Sequence, residues 1–303
     1  MENLIITILL TSIPILLAGT GELISEKCGV LNLGVEGMML TGAVAALGSV
    51  LIIGNPYAGI LFGAIAGILI SLVFSFFTIS LMTNQVATGL GLTIFATGLT
   101  GLIGKPFVGK TIPSLPKIEI MFLSDIPFFG SIFFKQDILF YFSICLIVAV
   151  HFFLIKSRYG IIVRAVGDNH DSAHSIGYPV KKIRWLCVGF GGMCAGMGGA
   201  YIPLALTPHW SEGMTAGKGW IALALVVFAS WLPFRLLLGA LIFGGITILQ
   251  FVGQARGWPF PAQFLNMLPY LVTILALALI SINTRSGNTL VPSSLGRPFF
   301  ENN

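Results

Sequence analysis

The sequence predicts an all-α integral membrane protein, a polytopic bundle of about 8–10 transmembrane helices. Three observations lead there. The 303 residues are 56% hydrophobic and 9% charged, against about 25% charged in soluble domains, with a mean hydropathy of +0.96. Apolar stretches of roughly the 20 residues a bilayer demands recur along the whole chain. The basic residues gather in one polar island, 156–184, which holds six of the sixteen Lys and Arg.

The spans run in order: 3–20, 30–54, 58–82, 85–104, 137–155, 185–206, 217–232, 235–253 and 266–282. The first, MENLIITILLTSIPILLAG, carries Glu2 and no basic leader, so it reads as a helix that stays rather than a cleaved signal. Glu22, Glu26 and Lys27 are expected to form a cytoplasmic turn after it. Gly29, Gly34 and Gly37 then interrupt the second span, which predicts a broken helix with Asn32 and Glu36 near the break. The seventh span is short, consistent with a broken or tilted segment.

Basic loops face the cytoplasm, so the 156–184 island sets the orientation. Parity then places the N-terminus outside and the C-terminus inside, with ten Lys and Arg inside and six outside. The whole of 1–303 reads as a single transmembrane domain. It comprises a cytoplasmic loop 156–184, an outer loop 105–136 and a cytoplasmic tail 283–303. The 37 glycines suit close helix packing in lipid. Gly192, Gly196 and Ala200 form one small-xxx-small face, and Gly63 with Gly67 forms another.

A weak inverted repeat is visible. Gly37 opens GMMLTGAVAALGS before Asn55-Pro56-Tyr57, and Gly219 opens GWIALALVVFASW before Leu232-Pro233-Phe234. The first proline turn falls outside and the second inside. Inverted repeats of this kind frame a substrate site at the membrane midplane.

The central island is built to make one small exposed helix. Asp168 or Asn169 can cap its start, Asp171 complements the dipole of its first turn, Gly177 can end it left-handed, and Pro179 stops continuation. About two turns are too short to stand alone, which suits a helix gripped by a partner. His170 and His174 have the i,i+4 spacing of metal ligands, but no third ligand accompanies them.

Glu36 lies within a predicted span. An intramembrane carboxylate marks either a functional site or a helix-tying hydrogen bond. Gln85, Thr88 and Thr93 place similar groups at the start of the fourth span. Gly104–Thr111, GKPFVGKT, fits the phosphate-loop pattern in full. That pattern works only where a helix opens after it, and Pro106, Pro113 and Pro116 forbid one. The four cysteines form no CxxC pair and read as small buried hydrophobes. No nucleophile–base set is present, so the sequence points to transport rather than catalysis.

The residues also carry a resemblance. Segment 21–43, GELISEKCGVLNLGVEGMMLTGA, resembles the GE…ERAGVLNxGxEGMMLxGA signature of ABC-importer permeases for simple sugars and nucleosides. Arg164–Ile176 is similar to that family's RAVGxNpxAAxxxGI loop. MTAGKGWIALA (214–224), MLPYL (267–271) and SLGRPF (294–299) continue the match in order. The likeness is strongest to the short nucleoside-type subunit. Two departures stand out: His170 replaces the loop's usual proline, and Thr93 replaces a common asparagine.

The resemblance implies a type II-like importer in the bacterial cytoplasmic membrane, working by alternating access. Its implied partners are ABC ATPase subunits, a longer sister permease, and an extracytoplasmic lipoprotein or periplasmic binding protein. No nucleic acid is implied, and ATP and magnesium would sit on the ATPase rather than on this chain. Asn32, Glu36, Gln85 and Thr88 would line or shape the path. Gly167, Asp168, Asn169, Ser172, Ala173 and Gly177 would carry coupling to the ATPase. A branched-chain amino-acid or ribose-type permease is the alternative within the class. A proton-coupled secondary transporter titrating Glu36 and a structural scaffold are the alternatives outside it.

Overall fold

The computed structural model describes residues 2–124, 126–283 and 291–300. Twelve helices follow one another: α1 (Glu2–Lys27), α2 (Val35–Ile53), α3 (Pro56–Ser75), α4 (Gln85–Gly104), α5 (Phe129–Phe133), α6 (Ile138–Lys156), α7 (Arg158–Asp168), α8 (His170–Ser175), α9 (Val180–Tyr201), α10 (Lys218–Phe228), α11 (Pro233–Ala255) and α12 (Ala262–Asn283). Among the described residues, seven helices are long and apolar enough to cross a membrane. The last two of the nine predicted spans appear as α11 and α12, and the short seventh as the 11-residue α10. A two-stranded antiparallel ribbon, β1 (Lys117–Glu119) with β2 (Lys135–Asp137), stiffens the segment between α4 and α6.

The helix ends follow local chemistry. Asn55 caps α3 by accepting the Tyr57 amide, with Pro56 at the first helical position. Asn84 does the same for α4 through Ala87, and Asp137 for α6 through Phe140. α9 continues past Tyr201 as a wide π turn, Ile202–Leu206, where Pro203 cannot donate to the regular ladder.

The core is α9 wrapped by α1, α2 and α3, and glycine makes the approach possible. The two small-residue faces read from the sequence meet each other. A Cβ on Gly67 would lie 2.0 Å from the Gly192 carbonyl oxygen, and one on Gly196 would lie 2.2 Å from that of Gly63. Such backbone contact replaces the hydrophobic drive that lipid does not supply.

Two sequence expectations shift. Glu22, Glu26 and Lys27 do not form a turn: α1 runs unbroken to Lys27, and both glutamates are buried. Each finds a donor there, the Asn32 amide for Glu22 at 3.0 Å and the Trp231 indole for Glu26 at 2.5 Å. Helix therefore continues where charge alone suggested an exposed bend. The second span is in fact two parts: residues 28–34 are non-helical and the helix resumes at Val35.

The non-helical strip runs alongside the first half of α4. The Leu31 amide donates to Gln85 Oε1 at 2.8 Å, and Thr93 Oγ1 donates to the Leu33 carbonyl at 3.1 Å. The strip thus runs from the N-terminal end of α4 to its middle. On the other side, residues 207–217 start beside the segment that follows α4, where Thr111 pairs with His209 and the Ile112 amide donates to the Pro208 carbonyl. This second strip ends at the start of α10. Gly19 faces the Ala222 carbonyl and Glu26 bonds Trp231, so α10 runs beside the C-terminal half of α1. Its N-terminus is therefore level with the middle of α1.

Candidate functional site

Two interrupted segments meet at that level, and Glu36 joins them. It sits in the first turn of α2 at 7% exposure. One carboxylate oxygen accepts the Thr215 hydroxyl at 2.5 Å and the Gly217 amide at 2.8 Å. The other accepts the Gly219 amide at 2.6 Å. The first turn of a helix leaves its amides without intrahelical partners and carries a partial positive charge. Glu36 supplies both the acceptors and the counter-charge. Gly217 is left-handed at φ +80°, which turns its amide inward, and a Cβ on Gly219 would lie 2.6 Å from the Glu36 Cα.

Asn32 and Gln85 belong to the same brace. Asn32 is fully buried; its side-chain oxygen accepts the Gly34 amide at 2.9 Å, and its amide nitrogen donates to Met38 Sδ at 3.4 Å. Gln85, at 3% exposure, holds Leu31. Thr88 is half-buried and pairs with the Thr83 hydroxyl at 2.9 Å. The structure thus gathers Asn32, Glu36 and Gln85 along one interrupted strip, with Thr88 on the adjoining turn of α4. Thr93, where a common asparagine is replaced, bonds the same strip at Leu33. Sequence reasoning missed Thr215, Gly217 and Gly219 as partners of Glu36. The signal was the pair of glycines flanking Lys218, just ahead of an apolar run.

The two halves of the weak repeat meet here. The first turns of α2 and α10 touch at Glu36 and Gly219, and each helix leads through a proline turn into a long helix, α3 and α11.

The second cluster lies at the C-terminal end of α1. α8 is six residues long; Asn169 caps it by accepting the Ser172 amide at 2.9 Å. Of the two candidate caps, then, Asn169 acts. Gly177 ends α8 left-handed at φ +96° and donates to the His174 carbonyl at 2.8 Å. Gly167 packs so tightly on the end of α1 that a Cβ would lie 2.1 Å from the Lys27 carbonyl oxygen. Ala173 is buried, whereas Asp168 and Ser172 are exposed. Burial lowers the His170 pKa first, and the Arg184 guanidinium lowers it further, opposed by Asp171.

His170 Nδ1 lies 3.2 Å from Arg184, and the rings of His170 and His174 both pack against Phe299. The i,i+4 pair thus faces an aromatic ring, and no group of three metal-ligating side chains exists among the described residues. At Gly104–Thr111, a single 3₁₀ turn, Lys105–Phe107, precedes a left-handed Gly109, and no helix opens. The phosphate-loop pattern there is a coincidence of letters. All four cysteines are free thiols.

Comparison with known proteins agrees with this architecture. Residues 4–277 match the family described as branched-chain amino acid transport system / permease component. The chain is 39% identical to a putative glucose ABC transporter permease protein of Haloferax volcanii, over 93% of this chain and 92% of the relative. It is 32% identical to a nucleoside ABC transporter permease protein of Lactococcus lactis, with 92% of each chain covered. It is also 33% identical to a guanosine ABC transporter permease protein of Bacillus subtilis, with 87% of each covered. No solved structure matches. A bundle of membrane-crossing helices, two interrupted segments joined at mid-depth and matches of this extent leave one assignment. The chain belongs to the ABC-transporter permease family, as a multi-pass membrane subunit of an importer that moves substrate rather than transforming it and works with ATPase and substrate-binding partners.

Proposed function

We propose that this chain is the shorter permease of a heteromeric importer that carries a neutral cargo, a nucleoside, across the bacterial cytoplasmic membrane. The observation that carries the reading is the Glu36 cap. Half-helix N-termini at the midplane are ready sites for anionic substrate groups. Here the α10 N-terminus already holds the chain's own carboxylate on three donors. A cargo carboxylate brought to that end would meet a like charge. The reading therefore favours an uncharged nucleoside or sugar over a branched-chain amino acid, in line with the glucose, nucleoside and guanosine permeases that the chain resembles. The same hydrogen bonds argue against a proton-coupled carrier, whose titrating group must open to solvent during each cycle.

In this account 1–303 acts as one permease domain, with a longer sister permease completing the translocation path. Asn32, Glu36 and Gln85 shape the path by fixing the interrupted strip, and Thr88 by tying the first turn of α4 to Thr83, rather than by gripping cargo directly. ATP and magnesium bind the ATPase. The loop 156–184 meets it, with Gly167, Asp168, Asn169, Ser172, Ala173 and Gly177 building the contact helix and its ends. An extracytoplasmic lipoprotein or periplasmic protein delivers cargo to the outer face, near 105–136 and 207–216.

The test is competition. Reconstituted importer is given labelled nucleoside with excess unlabelled purine and pyrimidine nucleosides, glucose, ribose or leucine. Displacement by nucleosides supports the reading. Displacement by glucose or ribose moves the cargo to a sugar and leaves the neutral-cargo argument standing. Displacement by leucine overturns that argument.

A further inference from the structure

The C-terminal segment 291–300 lies far from α8 in sequence and is built onto it in space. The Ser294 amide donates to the Gly167 carbonyl at 2.9 Å, and the Ser294 hydroxyl to the Asp168 carbonyl at 3.3 Å. The Gly296 amide donates to the Gly29 carbonyl at 3.2 Å. Phe299 is buried against Val166, Ala173 and Val180 and against both histidine rings. The segment therefore spans from the contact helix to the root of the interrupted strip that leads to Glu36.

Arg184, at the start of α9, fastens the group. It is 2% exposed, reaching the Arg297 carbonyl through Nη1 at 3.0 Å and His170 through Nη2 at 3.2 Å. No carboxylate forms an ion pair with it among the described residues. A buried guanidinium held by carbonyl and imidazole is a fixed strut, since breaking either contact leaves charge uncompensated.

The outward side of the group is different. Asp168, Asn169, His170 and Asp171 from the loop, with Ser293, Ser294, Arg297, Pro298 and Phe300 from the tail, enclose a polar cleft of about 540 Å³. Phe300 is 60% exposed there, and Ile176 at the end of α8 is 76% exposed. These are large apolar side chains on a cytoplasmic rim, where lipid does not cover them.

We propose that the ATPase docks on a composite surface, half α8 and half tail, and that Arg297 and Phe300 are contact residues of the tail half. This rests on the reading of 156–184 as the ATPase-facing loop. The occupant is fixed by continuity: the cleft is one surface, and its loop side is the proposed contact. Docking on the tail also pulls on Gly29, and so on the strip that Gln85 and Thr93 hold against α4.

The experiment measures binding of the importer's own labelled ATPase subunit to the permease pair in nanodiscs. Arg297→Glu with Phe300→Asp alters only exposed positions, and unchanged thermal unfolding of the permease verifies that the fold is intact. Asp171→Lys, at a side chain 76% exposed on α8, reports on the loop half. The proposal predicts at least tenfold weaker ATPase binding from the tail pair and from Asp171→Lys separately. Weakening by Asp171→Lys with the tail pair within twofold of the parent overturns the composite surface and leaves the loop reading standing. Weakening by the tail pair alone also overturns the composite surface, since it removes the loop half on which the choice of occupant rests. No effect from either overturns both. If the tail pair alters unfolding, disulfide cross-linking of Phe300→Cys to a series of single cysteines on the ATPase surface decides: formation supports the contact, and failure beside a successful cross-link from Asp171→Cys overturns it.

Discussion

Replacing Glu36 by glutamine separates a structural cap from a titrating group. The carboxylate holds three donors with two oxygens. Glutamine keeps one acceptor, which can retain Thr215 and Gly217, and points an NH₂ at the Gly219 amide. The lost bond to a charged group contributes about 1.5–3 kcal/mol, and the lost charge at a helix N-terminus about 0.3–1 kcal/mol. The sum, about 2–4 kcal/mol, falls on the start of α10. At about 1.4 kcal/mol per tenfold, local opening becomes roughly 30-fold to several-hundred-fold more frequent. Hydrogen exchange of the amides from Gly217 to Ile221 reads that directly. The expected result is faster exchange confined to α10 and its approach strip, with ATP-driven uptake reduced and still independent of a proton gradient. Exchange within threefold of the parent, together with abolished uptake, would refute the cap and make Glu36 a proton-handling group.

Three further outcomes follow from the same geometry. Gly177→Pro removes the amide that bonds His174 and imposes a negative φ where the chain needs +96°; the permease should insert normally while ATP hydrolysis and uptake become uncoupled, and unimpaired uptake would sink the role given to α8. Gly199→Ala puts a Cβ 1.8 Å from the Met39 carbonyl oxygen, so α2 and α9 must part; the expected loss is several kcal/mol, read as a large fall in unfolding temperature, whereas Gly91→Ala on the open face of α4 should change little. His170 is held below its ordinary pKa, so the folded state binds fewer protons than the unfolded one. The packing of α8 on the tail should therefore weaken as pH falls below about 6.5, the unfolded value. Exchange at Ser294 and Gly296 should rise across that window in the parent and stay level in His170→Phe.

The broad fold was legible because lipid imposes simple rules. Length and hydropathy gave the spans, and glycine spacing gave the face between α3 and α9. The break at 28–34 was visible from Gly29 and Gly34, and the small helix from Asn169, Asp171 and Gly177. What stayed hidden was pairing over long separations. Glu36 meets Thr215 across 179 positions, and no periodicity encodes that contact. Glu22 and Glu26 looked like an exposed turn because charge was weighed without their partners, the Asn32 amide and the Trp231 indole. The tail read only as a cytoplasmic segment, since nothing in its letters says that Phe299 packs against two histidines.

The most direct test of the central account is uptake of a labelled nucleoside into proteoliposomes holding this chain, its sister permease and the ATPase, with binding protein outside. ATP inside and an imposed proton gradient are supplied separately. The account predicts uptake with ATP alone, and none with the gradient alone. Uptake driven by the gradient without ATP would contradict it.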